Sequence, residues 1–309
     1  MKSLVARFAA IILAMIWTLV IIALYQRSLR HPTHYRTMAM DALVNNPESA
    51  PSSRSSIPVK KSKILCWVLT QPKNHKNVMA VRNTWGSRCD KTLYFSSEAN
   101  DTLSILKLDV PEGRKHLPKK TAKAFRYCHD HYLEEFDWFL KADDDTFIVV
   151  ENLRKFVSNF SSSEPIYFGH NFMRYFKQGY MSGGAGYVLS REALKRFVTI
   201  GLAAEGSPCK VHDVGNEDVL VGSCLERLKV KAVDTVDDKQ RERFLPLDPV
   251  HYLLKMWPNW LLDFSKFRPK KGKECCAEYI ISLHYVSPSK MYLYDYLIYG
   301  TKLASEFTV

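Results

Sequence analysis

Three consecutive carboxylates, Asp143, Asp144 and Asp145, close an apolar run in "WFLKADDDTF". Adjacent negative charges repel, and a turn or a helix cap needs only one Asp. The triplet is therefore either an acidic turn or a place prepared for a cation. Side chains two residues apart on an extended chain point the same way, so Asp143 and Asp145 can address one ion. A hard divalent cation takes carboxylate and phosphate oxygens together, which is the chemistry of a site that holds a diphosphate. An EF-hand loop is excluded, because its glycine and its distal Glu are missing. A second acidic pair, Glu217 and Asp218 in "NEDV", opens a predicted helix. Acids in the first helical turn are favoured by the helix dipole alone, and a carboxylate there can also work as a general base. The glycine-rich "MSGGAGYV" (181–188) lacks Gly-Lys-Ser/Thr and is no P-loop.

The elements around these residues alternate. Apolar runs suited to buried strands occur in "KILCWVLT" (63–70), "KTLYFSS" (91–97), "DWFLKA" (137–142) and "PIYFG" (165–169). Helical spacing is found in 75–86, with Val78, Val81 and Trp85 on one side, and in 119–136. "VENLRKFVSNF", "REALKRFVTI" and "EDVLVGSCLERL" read as further helices. Helices alternating with short buried strands predict an α/β class with a mostly parallel sheet. In such open sheets ligands bind beyond the carboxyl ends of the strands, which is where the acidic triplet falls.

The chain of 309 residues is 46% hydrophobic, enough for one sizeable core or two small domains, plus an anchor. Its formal charge is +12, but Lys and Arg are dispersed, and no zinc-finger or RNP-type pattern occurs, so nucleic acid is not expected as a partner. Residues 8–25 carry no charge. As a helix they reach ~27 Å, enough for a thin bilayer. That run is longer than a signal-peptide core and no small-x-small cleavage site closes it. The expectation is a type II signal anchor with a cytoplasmic tail at 1–7, a flexible stem at 26–62 and a lumenal domain at 63–309. All seven cysteines follow the anchor, hence lie in oxidising space. Seven is odd, and Cys128 is the candidate free thiol, because it shares a helix face with Phe125 and Tyr132. Asn100 and Asn159 head N-glycosylation tripeptides.

The strand ending in "ADDDTF" resembles the Asp-x-Asp motif of metal-dependent glycosyltransferases with the GT-A fold. "VRNTWGSRCDK", "FSSE", "HYLEEFDWFLKADDDTF", "PIYFGHNF", "KQGYMSGGAGYVLSREALKRF", "NEDVLVGSCLE" and "CCAEYIISLHYVSPSKMY" follow in an order similar to that of core 1 β1,3-galactosyltransferases, and more distantly of Fringe. The resemblance covers residues 63–300. It implies inverting transfer of galactose from UDP-galactose to the 3-hydroxyl of GalNAc-α-Ser/Thr on glycoproteins, in the Golgi membrane, with Mn²⁺.

On the same resemblance, Asp143, Asp145 and His284 are the Mn²⁺ ligands, and Asp144 meets the ribose or donor sugar with Tyr285 close by. Gly113 and Arg114, with Lys120, supply a turn and cations for the nucleotide; for Lys120 a solvated surface charge is the other reading. Gly183 and Gly184 are read as allowing close backbone approach to the sugars. Asp218 is the preferred base and Glu217 the second choice, with simple helix capping the competing role. Trp257 and Trp260 either stack on the acceptor sugar or pack in the core. They lie in 251–274, the stretch where the chain departs from the core 1 pattern by being more basic. The resemblance further implies disulfides Cys66–Cys89, Cys209–Cys224 and Cys275–Cys276. Two rival functions stand beside it: a non-catalytic, chaperone-like relative, and a β1,3-transferase using another donor such as UDP-GlcNAc. A second copy of the chain and a dedicated chaperone are partner classes the sequence leaves open.

Overall fold

The computed structural model describes residues 62–203, 207–209 and 215–302. The tail at 1–7, the expected anchor at 8–25 and the stem up to residue 61 lie outside the described residues. Among the described residues no helix is long and apolar enough to cross a membrane.

In chain order the strands are β1 (Ile64–Leu69), β2 (Lys91–Ser96), β3 (Ile105–Lys107), β4 (Trp138–Asp143), β5 (Phe147–Ile148) and β6 (Ile166–Gly169). They continue with β7 (Asn171–Phe172), β8 (Tyr180–Met181), β9 (Tyr187–Ser190), β10 (Lys231–Val233), β11 (Phe244–Leu245) and β12 (Ser282–Leu283). The α-helices are α1 (His75–Asn83), α2 (Leu117–Tyr132), α3 (Val150–Val157), α4 (Arg191–Arg196), α5 (Glu217–Arg227), α6 (Pro249–Leu253), α7 (Asn259–Phe264) and α8 (Pro288–Asp295).

Seven strands form the main sheet in the order β10-β6-β9-β4-β1-β2-β3. All six residues of β1 are buried. Both its faces are covered, which is why the run is continuously apolar rather than alternating. Ile64, Cys66 and Val68 of β1, with Trp138, Leu140 and Ala142 of β4, face one core layer shared with α1 and α3. Leu65, Trp67 and Leu69, with Phe139, face the other, filled from α2, α4 and α5. Lys141 continues the row of Phe139 and so points into the second layer.

The sheet is mixed rather than uniformly parallel, since β9 runs antiparallel to both β4 and β6. Parallel neighbours need a crossover of a dozen or more residues. Here the segment between β6 and β9 is used up by the β7–β8 hairpin and a tight turn instead. The reversal matters for the site. Because β9 starts where β4 ends, with Lys141 opposite Tyr187, the glycine-rich turn before Tyr187 lies against the acidic triplet.

A small sheet, β11-β12-β5, completes the frame. Its antiparallel pair places Leu283 opposite Phe147, and the Val286 amide donates to the Asp145 carbonyl at 2.8 Å. That pairing carries His284 to the triplet across the length of the sequence. Helix limits differ modestly from the periodicity: α1 stops at Asn83 and a 3-10 turn carries Trp85, while α2 starts at Leu117 with Pro118 in its first turn. Cys66 is bonded to Cys89, Cys209 to Cys224 and Cys275 to Cys276, and Cys128 is a buried free thiol.

Candidate functional site

Asp143 is the last residue of β4, Asp145 follows in the turn, and His284 comes directly after β12. One candidate ligand atom from each lies within 4.8 Å of the others. His284 is oriented by its backside: Nδ1 donates to the Pro246 carbonyl at 3.1 Å, leaving Nε2 3.3 Å from Asp145 Oδ1. A hydrogen bond on the far nitrogen is the usual way an imidazole ligand is fixed in place. Burial alone would lower the His284 pKa, but the Asp145 hydrogen bond and the charges of Asp145 and Asp143 outweigh it and raise the value. Two carboxylates and an imidazole suit a divalent ion that accepts both oxygen and nitrogen, Mn²⁺ among others.

Asp144 turns away from that cluster. It accepts from Thr70 Oγ1 at 2.5 Å and from Asn77 Nδ2 at 3.4 Å, clamping the end of β4 to the end of β1. Burial, opposed by the Thr70 hydrogen bond and reinforced by Asp143 and Asp145, pushes its pKa up to about 6. Lys120 is no solvated surface charge. Its ammonium is buried, donating to Thr70 O at 2.9 Å and to both Glu112 oxygens at 2.9 and 3.0 Å. Gly113, Arg114, Lys120 and the three aspartates together line a cleft of about 320 Å³. Arg114 is exposed at its mouth, and Gly113 adopts a φ of 117°.

The cleft continues over Asp143 and Asp145 into a second part of about 430 Å³, lined by Asp218, Gly183, Gly184, His284 and Tyr285. Phe172, Tyr180, Trp260 and Phe264 make its aromatic wall. Trp260 is 38% exposed and meets Phe172 edge-on at 6.0 Å. Trp257 does not line the cleft and packs instead on Tyr252 at 5.8 Å. Tyr285 is 57% exposed and stacks on His284 at 3.9 Å.

The two glycines are explained by protein neighbours. A Cβ on Gly184 would sit 2.0 Å from Cε1 of His284, and one on Gly183 would sit 2.3 Å from Oε1 of Glu217. Both glycines thus make close approaches within the protein, to His284 and to α5.

Glu217 and Asp218 occupy the first turn of α5 in different settings. Glu217 is buried, pairs with Lys141 Nζ at 2.9 Å and accepts from Tyr187 Oη at 2.9 Å. Asp218 lines the cleft, with Oδ2 accepting from the Gly183 amide at 3.0 Å and Oδ1 from the Val219 amide at 2.9 Å. Burial raises both pKa values, against the Lys141 charge for Glu217 and against the Gly183 hydrogen bond for Asp218. Both residues line the cleft, but Glu217 is buried and engaged by Lys141 and Tyr187, and Asp218 is the more exposed of the two.

Lys141 is a site residue that sequence reasoning misses. Its ammonium is buried and lies 2.5 Å from Asp143 Oδ1; burial would lower its pKa, but the charges of Asp143 and Glu217 raise it well above the ordinary value. The available signal is a single cation at an inward position of an apolar strand. Away from the cleft, Asn159 is exposed, whereas Asn100 is half-buried with Oδ1 accepting from the Leu103 amide at 3.1 Å.

Residues 59–252 match the family described as Fringe-like. The chain is 43% identical over 245 residues to glycoprotein-N-acetylgalactosamine 3-beta-galactosyltransferase 1 of Xenopus laevis, covering 78% of this chain and 67% of that protein. It is 29% identical over 178 residues to beta-1,3-glucosyltransferase of Mus musculus, covering 56% of this chain and 35% of that one. With chondroitin sulfate synthase 3 of Mus musculus it shares 30% identity over 169 residues, 48% of this chain and 19% of the other. The chain belongs to the Fringe-like family, within its core 1 β1,3-galactosyltransferase group.

Proposed function

We propose that this chain is an inverting, Mn²⁺-dependent galactosyltransferase with a GT-A-type domain. It transfers galactose from UDP-galactose to the 3-hydroxyl of GalNAc α-linked to Ser or Thr on glycoproteins. One observation carries the reading: Asp143, Asp145 and His284 line the same cleft as Asp218 and Trp260. Similarity to a protein named for that activity supports this choice of donor and acceptor.

Asp143, Asp145 and His284 would hold a divalent cation, which would supply positive charge against the diphosphate of the donor. Arg114 adds a cation at the cleft mouth. Asp218 takes the proton of the acceptor hydroxyl, and that oxygen bonds to the anomeric carbon on the face opposite UDP. The bond from that carbon to the phosphate oxygen breaks, and its electron pair leaves with UDP. Configuration inverts, and the proton passes from Asp218 to solvent. Burial raises the basicity of Asp218, which suits the role. Trp260 offers an aromatic face to the C–H surface of the acceptor sugar.

In this reading residues 8–25 anchor the chain in the Golgi membrane and the catalytic domain faces the lumen. The retained triplet and His284 favour an enzyme over a chaperone-like relative. The test is a transfer assay of the detergent-solubilised full chain with a GalNAc-peptide and a panel of UDP-sugars, with and without Mn²⁺. Galactose transfer that is lost on chelation and restored by Mn²⁺ is expected. Absence of transfer from every donor, or use of UDP-GlcNAc alone, would overturn the assignment.

A further inference from the structure

A lysine ammonium has three N–H donors and no acceptor. Lys141, buried in the middle of the site, spends all three. They go to Asp143 Oδ1 at 2.5 Å, to Glu217 Oε1 at 2.9 Å and to the Gly183 carbonyl at 3.0 Å. These acceptors come from three separate elements: the end of β4, the first turn of α5, and the turn before β9. Each has a functional neighbour. Asp143 is one of the three clustered metal-site ligands. Gly183 uses its own N–H to hold Asp218 Oδ2 at 3.0 Å. Glu217 immediately precedes Asp218 and is fixed on its far side by Tyr187 Oη at 2.9 Å. From Lys141 the metal ligand is thus one bond away, and the base is reached through one intervening residue by either route.

We infer that Lys141 is the positioning residue that sets the distance between the metal carboxylate and the base, by holding Asp143, Gly183 and Glu217 on one atom. The inference rests on the function proposed above. It also gives Glu217 a role, which is to anchor α5 to the ammonium and leave Asp218 as the carboxylate free to act. With one oxygen of Asp143 held by Lys141, the other remains for the ion.

A purely structural role would look different. Taking one partner from a buried ion pair leaves an uncompensated charge, whereas replacing both partners is commonly near neutral for stability. The test compares the full chain with Lys141→Met and with Lys141→Met/Glu217→Gln. Mn²⁺ uptake is read by electron paramagnetic resonance in the presence of UDP, melting temperature by thermal denaturation, and kcat and KM by galactose transfer. Lys141→Met is expected to melt lower and to turn over slowly. The double variant is expected to recover its melting temperature and to bind Mn²⁺ and UDP within about threefold of wild type, because the net charge at the site is unchanged. Its kcat is expected to stay down by about 10²-fold, on the scale of a misplaced reacting geometry. A double variant that regains wild-type kcat together with its stability would overturn the proposal, since charge compensation would then be the whole role of Lys141. So would wild-type kcat in Lys141→Met. A wild-type chain that takes up no Mn²⁺ and transfers no sugar would instead remove the underlying function, and this inference with it.

Discussion

Gly184 packs against the imidazole of His284 so tightly that an added Cβ would lie 2.0 to 2.6 Å from three of its ring atoms. His284 cannot retreat without giving up its hydrogen bond to Pro246. Overpacking of this kind costs about 1–3 kcal/mol where the neighbours give way. Gly184→Ala should therefore swing His284 out and weaken Mn²⁺-dependent UDP binding about tenfold or more, measured by titration calorimetry. Unchanged affinity would mean that His284 is not held by this contact.

Asp145→Asn removes a ligand charge from an open turn, with His284 its nearest ionic neighbour. Transfer should fall below detection, while the melting temperature of the metal-free protein stays within a few degrees of wild type. Asp143→Asn should also abolish transfer, but with a larger loss of stability, because it takes one of the three partners from Lys141. Full activity in either variant at ordinary Mn²⁺ would reject the ligand assignment.

Asp218→Asn should leave UDP-galactose affinity near wild type and lower kcat by ~10²–10⁴-fold, the range for a lost general base. Glu217→Gln should show the opposite balance. Its buried pair with Lys141 is broken, so the melting temperature falls, while the folded fraction retains more turnover than Asp218→Asn. Reversed effects would move the base to Glu217 without disturbing the metal site.

The pH profile follows from the same carboxylate. A base works deprotonated, and burial raises the Asp218 pKa above its ordinary value. The acid limb of kcat/KM should therefore lie at higher pH than that of an exposed Asp, with activity full above it and lost as pH falls through it. Asp218→Asn should erase this limb. A limb that stays in place in the variant would identify another titrating group.

Much of this arrangement is legible because charge interrupts hydrophobicity. The triplet stands out after β4, and the acids of "NEDV" mark the start of α5. Strand direction leaves no such trace: a period of two reads alike in both directions, so β9 gives no sign that it runs against its neighbours. The position of His284 depends on β5 and β12, strands of two residues each, too short for any pattern, and only the family resemblance points to it. Trp257 and Trp260 lie three apart around the start of a short helix after an irregular segment, and periodicity cannot assign one to the core and the other to the cleft. Lys141 is visible as a letter, but its three partners come from elements that the sequence alone does not bring together.

The pairing of β12 with β5 also has a consequence in time. During synthesis the earlier part of a chain can organise before the later part has emerged. All seven strands of the main sheet are complete by Val233, whereas β12 begins at Ser282. The strands of the main sheet, and with them Asp143, Asp145 and Asp218, are therefore all synthesised before the segment that carries the histidine. On the function proposed above, donor capture would wait until the segment that carries β12 and His284 has docked.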